Sequence, residues 1–295
     1  MGVFISQAIN GISLGSILLL AALGLSLTFG QMGVINNAHG EFMMIGAYTA
    51  YMVQTYLVKG AGASFLLSLL IGFVVAGLLG LLLEATLLAR MRGRPLDTLL
   101  VTFGVALILQ QVARDVFGSQ PKDVKAPSWL SGPLHLGSYT IPWTRIFMFA
   151  LAMFCLLVVH LVLKLTPLGR QVRATVQNRD LAEASGVSTR RADHMTFFLG
   201  SGLAGVAGVA VTLFGSIDFN LGTKYIVDAF LVVVAGGVAR LAGAVIAAFG
   251  LGLMQAFVEF PTSASTAKVV VLLAVVLVLV IRPQGLMVLR TRSLA

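Results

Sequence analysis

Apolar runs of 15 to 27 residues follow one another along this chain, separated by short polar or glycine-rich breaks. A helix needs about 20 predominantly apolar residues to cross a bilayer. The runs at 4–29, 39–58, 63–89, 96–117, 143–165, 194–215, 224–238, 242–260 and 267–281 each predict a span. The seventh is short, and Gly236-Gly237 followed by Ala239-Arg240-Leu241 predicts a turn at its end. The expected fold is an all-α polytopic membrane protein of about nine spans, eight to ten at the limits, forming one domain over 1–295. Short or broken helices are expected near 30–41 and 224–242.

Two segments interrupt this pattern. Residues 118–142 carry Pro121, Pro127, Pro133 and Pro142, with Trp129 within and Trp143 at the exit, where tryptophans anchor at the lipid–water boundary. Residues 166–193 predict a helix from Gly169 to Ala184, with Val172, Val176 and Ala182 along one side and arginines elsewhere, ended by Gly186. The run at 1–29 lacks a basic leader and a small-x-small cleavage site, so it reads as a retained helix.

Composition supports lipid as the main solvent. Hydrophobic residues make up 58% and charged residues 11%, with mean hydropathy +0.97, too few charges to coat a soluble core. The net charge of +9 does not form one patch, which argues against nucleic acid as a partner. Thirteen of the 20 Lys and Arg fall on one side if the spans alternate, after the third, fifth, seventh and ninth. The positive-inside rule makes that side cytoplasmic, with the N-terminus and 118–142 outside and 166–193 inside. Cys155 stands alone in an apolar run, so neither a disulfide framework nor a metal site is expected.

The most informative polar break is Gly33-Val34-Ile35-Asn36-Asn37-Ala38-His39-Gly40-Glu41. Ionisable groups at membrane depth are costly and usually face a pathway or a partner. One reading makes Asn37 the N-cap of the second span, with Glu41 in its first turn. The other makes Asn36, Asn37, His39 and Glu41 a gate or path lining at the cytoplasmic end, with 215–228 near the outer end. The two readings are compatible. Tyr48, Thr102, Gln110 and Gln111 offer further neutral polar groups, and Asp228 sits one turn after Lys224, within reach of a local ion pair. Gly200-Ala204-Gly208 is a small-xxx-small stripe for close helix packing. An offset of 185 residues aligns Leu14-Gly15-Ser16 with Leu199-Gly200-Ser201 in helices of opposite direction, a faint inverted repeat.

These residues carry a resemblance. The run from Gly33 to Tyr48 resembles the G-x-I-N-x-A-H-G-E-x-x-x-x-G-A-Y signature of the branched-chain amino-acid type permeases of ATP-binding-cassette importers, and the likeness covers essentially the whole chain. The run from Arg92 to Leu100, Leu109-Gln110-Gln111, Gln177-Asn178-Arg179 and the run from Tyr225 to Phe230 look like the urea branch, specifically the first of its two permeases. Where relatives read Gly-Gly-x-Gly, this chain has Gly236-Gly237-Val238-Ala239. The resemblance implies a multi-pass subunit of a bacterial inner membrane, paired with a second similar permease, two ATP-binding subunits and a periplasmic solute-binding protein. It binds no cofactor itself, since ATP and Mg belong to the ATPases and no G-x-x-x-x-G-K-[ST] run occurs. Arg170, Arg173, Val176, Arg179, Ala182 and Gly186 are then expected to form the surface that docks on an ATPase. A stand-alone transporter or channel would need its own coupling-ion site, and an intramembrane enzyme would need a catalytic set that the sequence lacks.

Overall fold

The longest apolar stretches become the longest helices in the structure, a computed structural model that describes residues 2–58, 61–91, 93–136, 139–238 and 240–287. Expectations resting on Arg92, Ala239, Arg290 and Arg292 lie outside these residues. The helices are α1 (Gly2–Met32), α2 (His39–Met52, continued by a π turn Val53–Leu57), α3 (Ala61–Thr86), α4 (Pro95–Phe117), α5 (Trp143–Leu165), α6 (Pro167–Gln177), α7 (Arg179–Ala184), α8 (Thr189–Val211), α9 (Leu221–Gly236), α10 (Leu241–Glu259) and α11 (Ala264–Ile281). Between α4 and α5 the chain forms an antiparallel hairpin, β1 (Pro133–Leu136) with β2 (Tyr139–Pro142). The all-α expectation did not include it.

Among the described residues, seven helices are long and apolar enough to cross a membrane: Gly2–Met32, Gly62–Arg90, Pro95–Phe117, Trp143–Leu165, Thr189–Val211, Leu241–Glu259 and Ala264–Ile281. Of the nine expected spans, those of the second and seventh runs fall short of this length. There α2 has 14 residues and α9 has 16, about 21 and 24 Å at 1.5 Å per residue, short of a hydrocarbon core of about 30 Å.

The bundle is built outward from α1 and α8. Their membrane windows are 83% and 78% buried, against 22% for α4, 22% for α5 and 17% for α11. Small residues make this centre, and the stripe Gly200-Ala204-Gly208 does pack as expected. Gly200, midway along α8, lies so close to α1 that a Cβ would come within 2.7 Å of the Gly24 carbonyl oxygen. Neighbours are arranged reciprocally. α1 packs on α10 as α8 packs on α3, α1 meets α9 as α8 meets α2, and α2 lies on α3 as α9 lies on α10. The 185-residue register does not match this packing, because Gly15 faces Phe249 of α10 whereas Gly200 faces α1.

The end of the bundle bearing α6 and α7 is the basic face, and the opposite end is the hairpin face. The expected single helix from Gly169 to Ala184 is split. Asn178 is extended (φ −159°, ψ 110°), and its side chain accepts from the Leu181 N–H at 2.9 Å, capping α7. Gly186, at φ +81°, ends the pair as the sequence predicts.

Candidate functional site

The polar break between α1 and α2 does not stay at the basic face. Gly33, at φ +64°, stops α1 with its N–H on the Phe29 carbonyl, and the chain then runs back into the bundle. The His39 ring approaches Gly24 so closely that a Cβ there would be 2.9 Å from its Cε1. Since Gly24 also meets Gly200 at the middle of α8, His39 lies at mid-depth. Gln31 therefore stays at the basic face, whereas His39 and Glu41 lie deeper in the bundle.

Asn36, not Asn37, initiates α2. Its side-chain carbonyl accepts from the Ala38 N–H at 3.1 Å, and its backbone carbonyl accepts from His39 N–H at 3.3 Å. Ala38 occupies the cap position without a side-chain bond. Asn37 instead donates its N–H to Thr102 Oγ1 at 3.1 Å, tying the break to α4. His39 Nε2 lies 3.2 Å from the Ala21 carbonyl, which fixes the proton on that nitrogen.

Glu41 is 1% exposed and sits where three elements converge. Gln110 of α4 donates one amide hydrogen to Glu41 Oε1 at 2.8 Å and the other to Thr223 Oγ1 of α9 at 2.7 Å. Gly222 admits the carboxylate against its backbone, because a Cβ there would lie 2.5 Å from Glu41 Oε1. The first turns of α2 and α9 thus meet at one buried carboxylate, and from the 215–228 segment Gly222 and Thr223 join the 33–41 break. Nearer the hairpin face, Tyr48 stacks on Phe117 with centroids 4.2 Å apart and planes at 12°. Beyond them Lys122 and Ile217 exchange backbone bonds of 2.9 and 2.8 Å, a bridge between the loops that follow α4 and α8. From α4, Thr102, Gln110 and Phe117 therefore face Asn37, Glu41 and Tyr48 in one seam. Among the described residues, Asn36 Nδ2, Glu41 Oε2 and the Tyr48 hydroxyl, and His39 Nδ1 on the side of α2 that meets α1, are buried without a hydrogen-bond partner.

Two expected members lie elsewhere. Gln111 bonds to Asp115 at 2.8 Å on the outward side of α4. Asp228 faces Lys268 of α11 at 3.4 Å instead of Lys224, which pairs with Asp218 at 2.5 Å. A helix turn alone could not have chosen between these partners.

At the basic face, Val172 and Ala182 are buried within the chain, so they leave the expected docking surface; Val176 stays 39% exposed and Leu181 65%. Arg170 and Arg173 are exposed, although Arg173 also donates to the Leu163 carbonyl at the end of α5. Arg179 turns inward, its Nη2 2.5 Å from the buried carboxylate of Asp193, with Glu183 at 3.5 Å. Burial alone would lower the Arg179 pKa, but the Asp193 hydrogen bond and the charges of Asp193, Glu183 and Glu84 raise it above its ordinary value. Gln31 of α1 donates to Asp193 Oδ1 at 3.0 Å and accepts from Thr196. Beside them, His194 contacts the buried Glu84 of α3.

The family model for the permease component of branched-chain amino acid transport systems matches residues 7–281. The chain belongs to that family. The permease is 30% identical to the high-affinity branched-chain amino acid transport system permease protein LivH of Salmonella typhimurium, over 96% of this chain and 95% of that protein. It is equally similar to LivH of Escherichia coli K12, and 28% identical to BraD of Pseudomonas aeruginosa over 96% and 95% of the two chains. No solved structure matches it. Membership and the seven apolar helices make it a multi-pass inner-membrane protein, a permease component rather than an enzyme.

Sequence reasoning missed several residues of this permease's buried polar sites. Gly222 and Thr223 carried a signal, a polar Asn220-Leu221-Gly222-Thr223 entry to a short helix, similar in character to the break before α2. Asp193 and His194 carried one too, as charge and imidazole at the head of a long apolar helix. Phe117 carried none beyond its spacing of seven residues, about two turns, from Gln110.

Proposed function

We propose that this permease forms half of the translocation path of an ATP-driven importer for branched-chain amino acids, with the seam between α2, α4 and α9 as its passage. The observation that carries this reading is the mid-depth meeting of two helix N-termini at Glu41, surrounded by buried polar atoms with unmet bonding capacity. Helix N-termini favour an anionic group such as an amino acid's carboxylate. The free oxygen of Glu41 suits its ammonium. The family of the LivH and BraD relatives supports the same solute class.

In this reading α2 and α9 are short crossings that, with the breaks before them, complete nine membrane passes, and the reciprocal packing supports an inverted repeat. The Lys122–Ile217 bridge closes the mouth at the outer side. The basic face is cytoplasmic, where Arg170, Val176 and Leu181 rest on one of two ATPases. A second permease and a periplasmic binding protein complete the assembly.

A second reading, urea, is favoured by the runs around Arg92–Leu100 and Gln110-Gln111 and by the neutral amides and hydroxyls of Asn36, Thr102, Gln110 and Thr223 in or beside the seam. Reconstitution with the ATPases and binding protein, followed by ATP-dependent uptake of labelled leucine and urea, decides between them. Leucine uptake supports the first reading, and urea uptake with leucine competing poorly selects the second. Uptake of neither overturns both.

A further inference from the structure

Arg145 stands at the head of α5, two residues after Trp143, a residue type that anchors at the lipid–water boundary. A guanidinium at the edge of a membrane helix is costly unless something neutralises it. Its side chain donates to the Asn10 side-chain carbonyl of α1, and Asn10 in turn donates to Gln7 at 3.2 Å. Both partners are neutral, and among the described residues no carboxylate pairs with Arg145. A guanidinium has five N–H donors, so Arg145 keeps its whole charge and most of its bonding capacity.

That charge faces a hollow. A cavity of about 370 Å³ lies between α1, α5 and α10 at the hairpin face, lined by Gln7, Asn10 and Arg145 and by Glu259, the last residue of α10. Leu14 and Phe260 add apolar wall, and Phe260 is 60% exposed. One turn further along α5, Phe149 meets Phe249 of α10 with centroids 5.9 Å apart, which closes the two helices on each other. A cation and an anion therefore line one space without pairing, with neutral amides and apolar surface beside them. A matching ligand carries an anionic group and an ammonium on one short head, joined to an apolar body. The four polar residues all belong to membrane-crossing helices and none to a loop. They lie at the level of the lipid headgroups, where the bilayer itself supplies such a molecule.

We propose that this hollow binds the headgroup of an ethanolamine phospholipid, with its phosphate on Arg145 and its ammonium on Glu259. The phosphate takes the remaining guanidinium hydrogens as charge-assisted bonds. The primary ammonium donates to the carboxylate, which a quaternary choline head cannot do. A glycerol head brings no cation, and its phosphate would share the hollow with an uncompensated Glu259. The bound lipid would join α1, α5 and α10 at the hairpin face, away from the Glu41 seam, and its binding does not depend on which solute the permease carries.

The test uses the full-length permease, purified and delipidated in detergent, with binding read by native mass spectrometry. The probes are phosphatidylethanolamine, phosphatidylcholine and phosphatidylglycerol of identical acyl chains. The ethanolamine lipid is expected to bind about tenfold more tightly than either of the others, the size of one hydrogen bond between charged groups. Arg145→Gln should weaken its binding about tenfold, and Arg145→Lys, which keeps the charge, should recover much of the loss. Glu259→Gln should reduce the ethanolamine lipid to the level of the choline lipid while leaving the choline lipid unchanged. Glu259 is exposed, so this variant tests the headgroup preference even if Arg145→Gln fails to fold, which size-exclusion of each variant reports. Equal binding of the three lipids by the wild type, or an unchanged preference in Glu259→Gln, overturns the proposal. Displacement of the ethanolamine lipid by free leucine would give the hollow to an amino acid and overturn it as well.

Discussion

At the centre of the bundle and at its basic face, close approaches are matched in shape or charge, with the buried Ser201 Oγ of α8 an exception among the described residues. Gly24 lies against Gly200, Gln31 is bonded through both ends of its amide, and Asp193 is held by Arg179. In the seam between α2, α4 and α9 the same kinds of side chain are arranged differently. Asn36, His39 and Glu41 each spend part of their capacity on the fold and keep another buried polar atom without a partner among the described residues, and the buried Tyr48 hydroxyl has none there either. Such an atom costs about 1–3 kcal/mol. A chain that satisfies buried carboxylates at Asp193 has the means to satisfy them at Glu41 as well. On the function proposed above, the difference separates groups that fasten the frame from groups that would meet a polar solute. α4 shows the same division, since it contributes Thr102, Gln110 and Phe117 to the seam yet only 22% of its membrane window is buried.

The comparison breaks most visibly if the centre proves soft. Gly24→Leu would drive a side chain into the backbone of Gly200, and overpacking of this kind costs about 1–3 kcal/mol or more. Loss of the folded permease from membranes is expected. Gly104→Leu on α4, where a Cβ meets nothing within 4 Å, should leave yield unchanged. Equal yields for both variants, measured by fluorescence size-exclusion of the solubilised permease, would dissolve the distinction between frame and seam.

A second test locks the seam. Lys122 and Ile217 exchange both backbone bonds, which places their Cα atoms at about 5.5 Å, inside the range a disulfide spans. Oxidised Lys122→Cys/Ile217→Cys permease should lose nearly all uptake and regain it on reduction, with each single variant active. Full uptake by the cross-linked form would show that solute does not leave or enter between these loops.

Much of this division was legible in the sequence, and the exceptions have physical causes. Polar residues between two apolar runs announce a break, so 33–41 could be read directly. Its depth could not, because depth depends on the chain turning back along a 31-residue α1. The same ignorance of depth produced the expectation of nine full spans. An apolar run of 20 residues looks alike whether all of it is α-helical or only the 14 residues of α2 are. Asn36 and Asn37 are adjacent and chemically identical, and helix ends are uncertain by a residue or two from pattern alone, so the cap fell on the wrong one. The Glu41–Gln110–Thr223 junction joins positions 69 and 113 residues apart, and no local pattern reports such a pairing. Val172 and Ala182 showed the right apolar face but not what covers it. The chain's own helices do, and Val176 and Leu181 are left outside.

Glu41→Gln sharpens the comparison by changing charge without shape. The amide still offers an oxygen to Gln110, so assembly should hold. A hydrogen bond to a charged group contributes about 1.5–3 kcal/mol, and leucine uptake by the reconstituted importer should fall about 10- to 100-fold. Urea, which has no ammonium, would lose much less. Unchanged uptake of leucine would return Glu41 to the helix-start role that the sequence also allowed.

The smallest effect should come from Tyr48→Phe. The ring keeps its stack on Phe117, and only the hydroxyl is lost. That hydroxyl is buried without a partner among the described residues, so its removal takes away a desolvation cost rather than a bond. The melting temperature of the solubilised permease should therefore hold or rise slightly, whereas deleting a bonded tyrosine hydroxyl would lower stability by about 0.5–1.5 kcal/mol. Uptake should move the other way. If the hydroxyl meets the passing solute, one neutral hydrogen bond is lost on the path and the rate should drop about two- to fivefold. A stability loss with normal uptake would place Tyr48 among the fastenings of the frame. A stable variant with slower uptake would place it with Glu41, on the side of the seam that the solute meets.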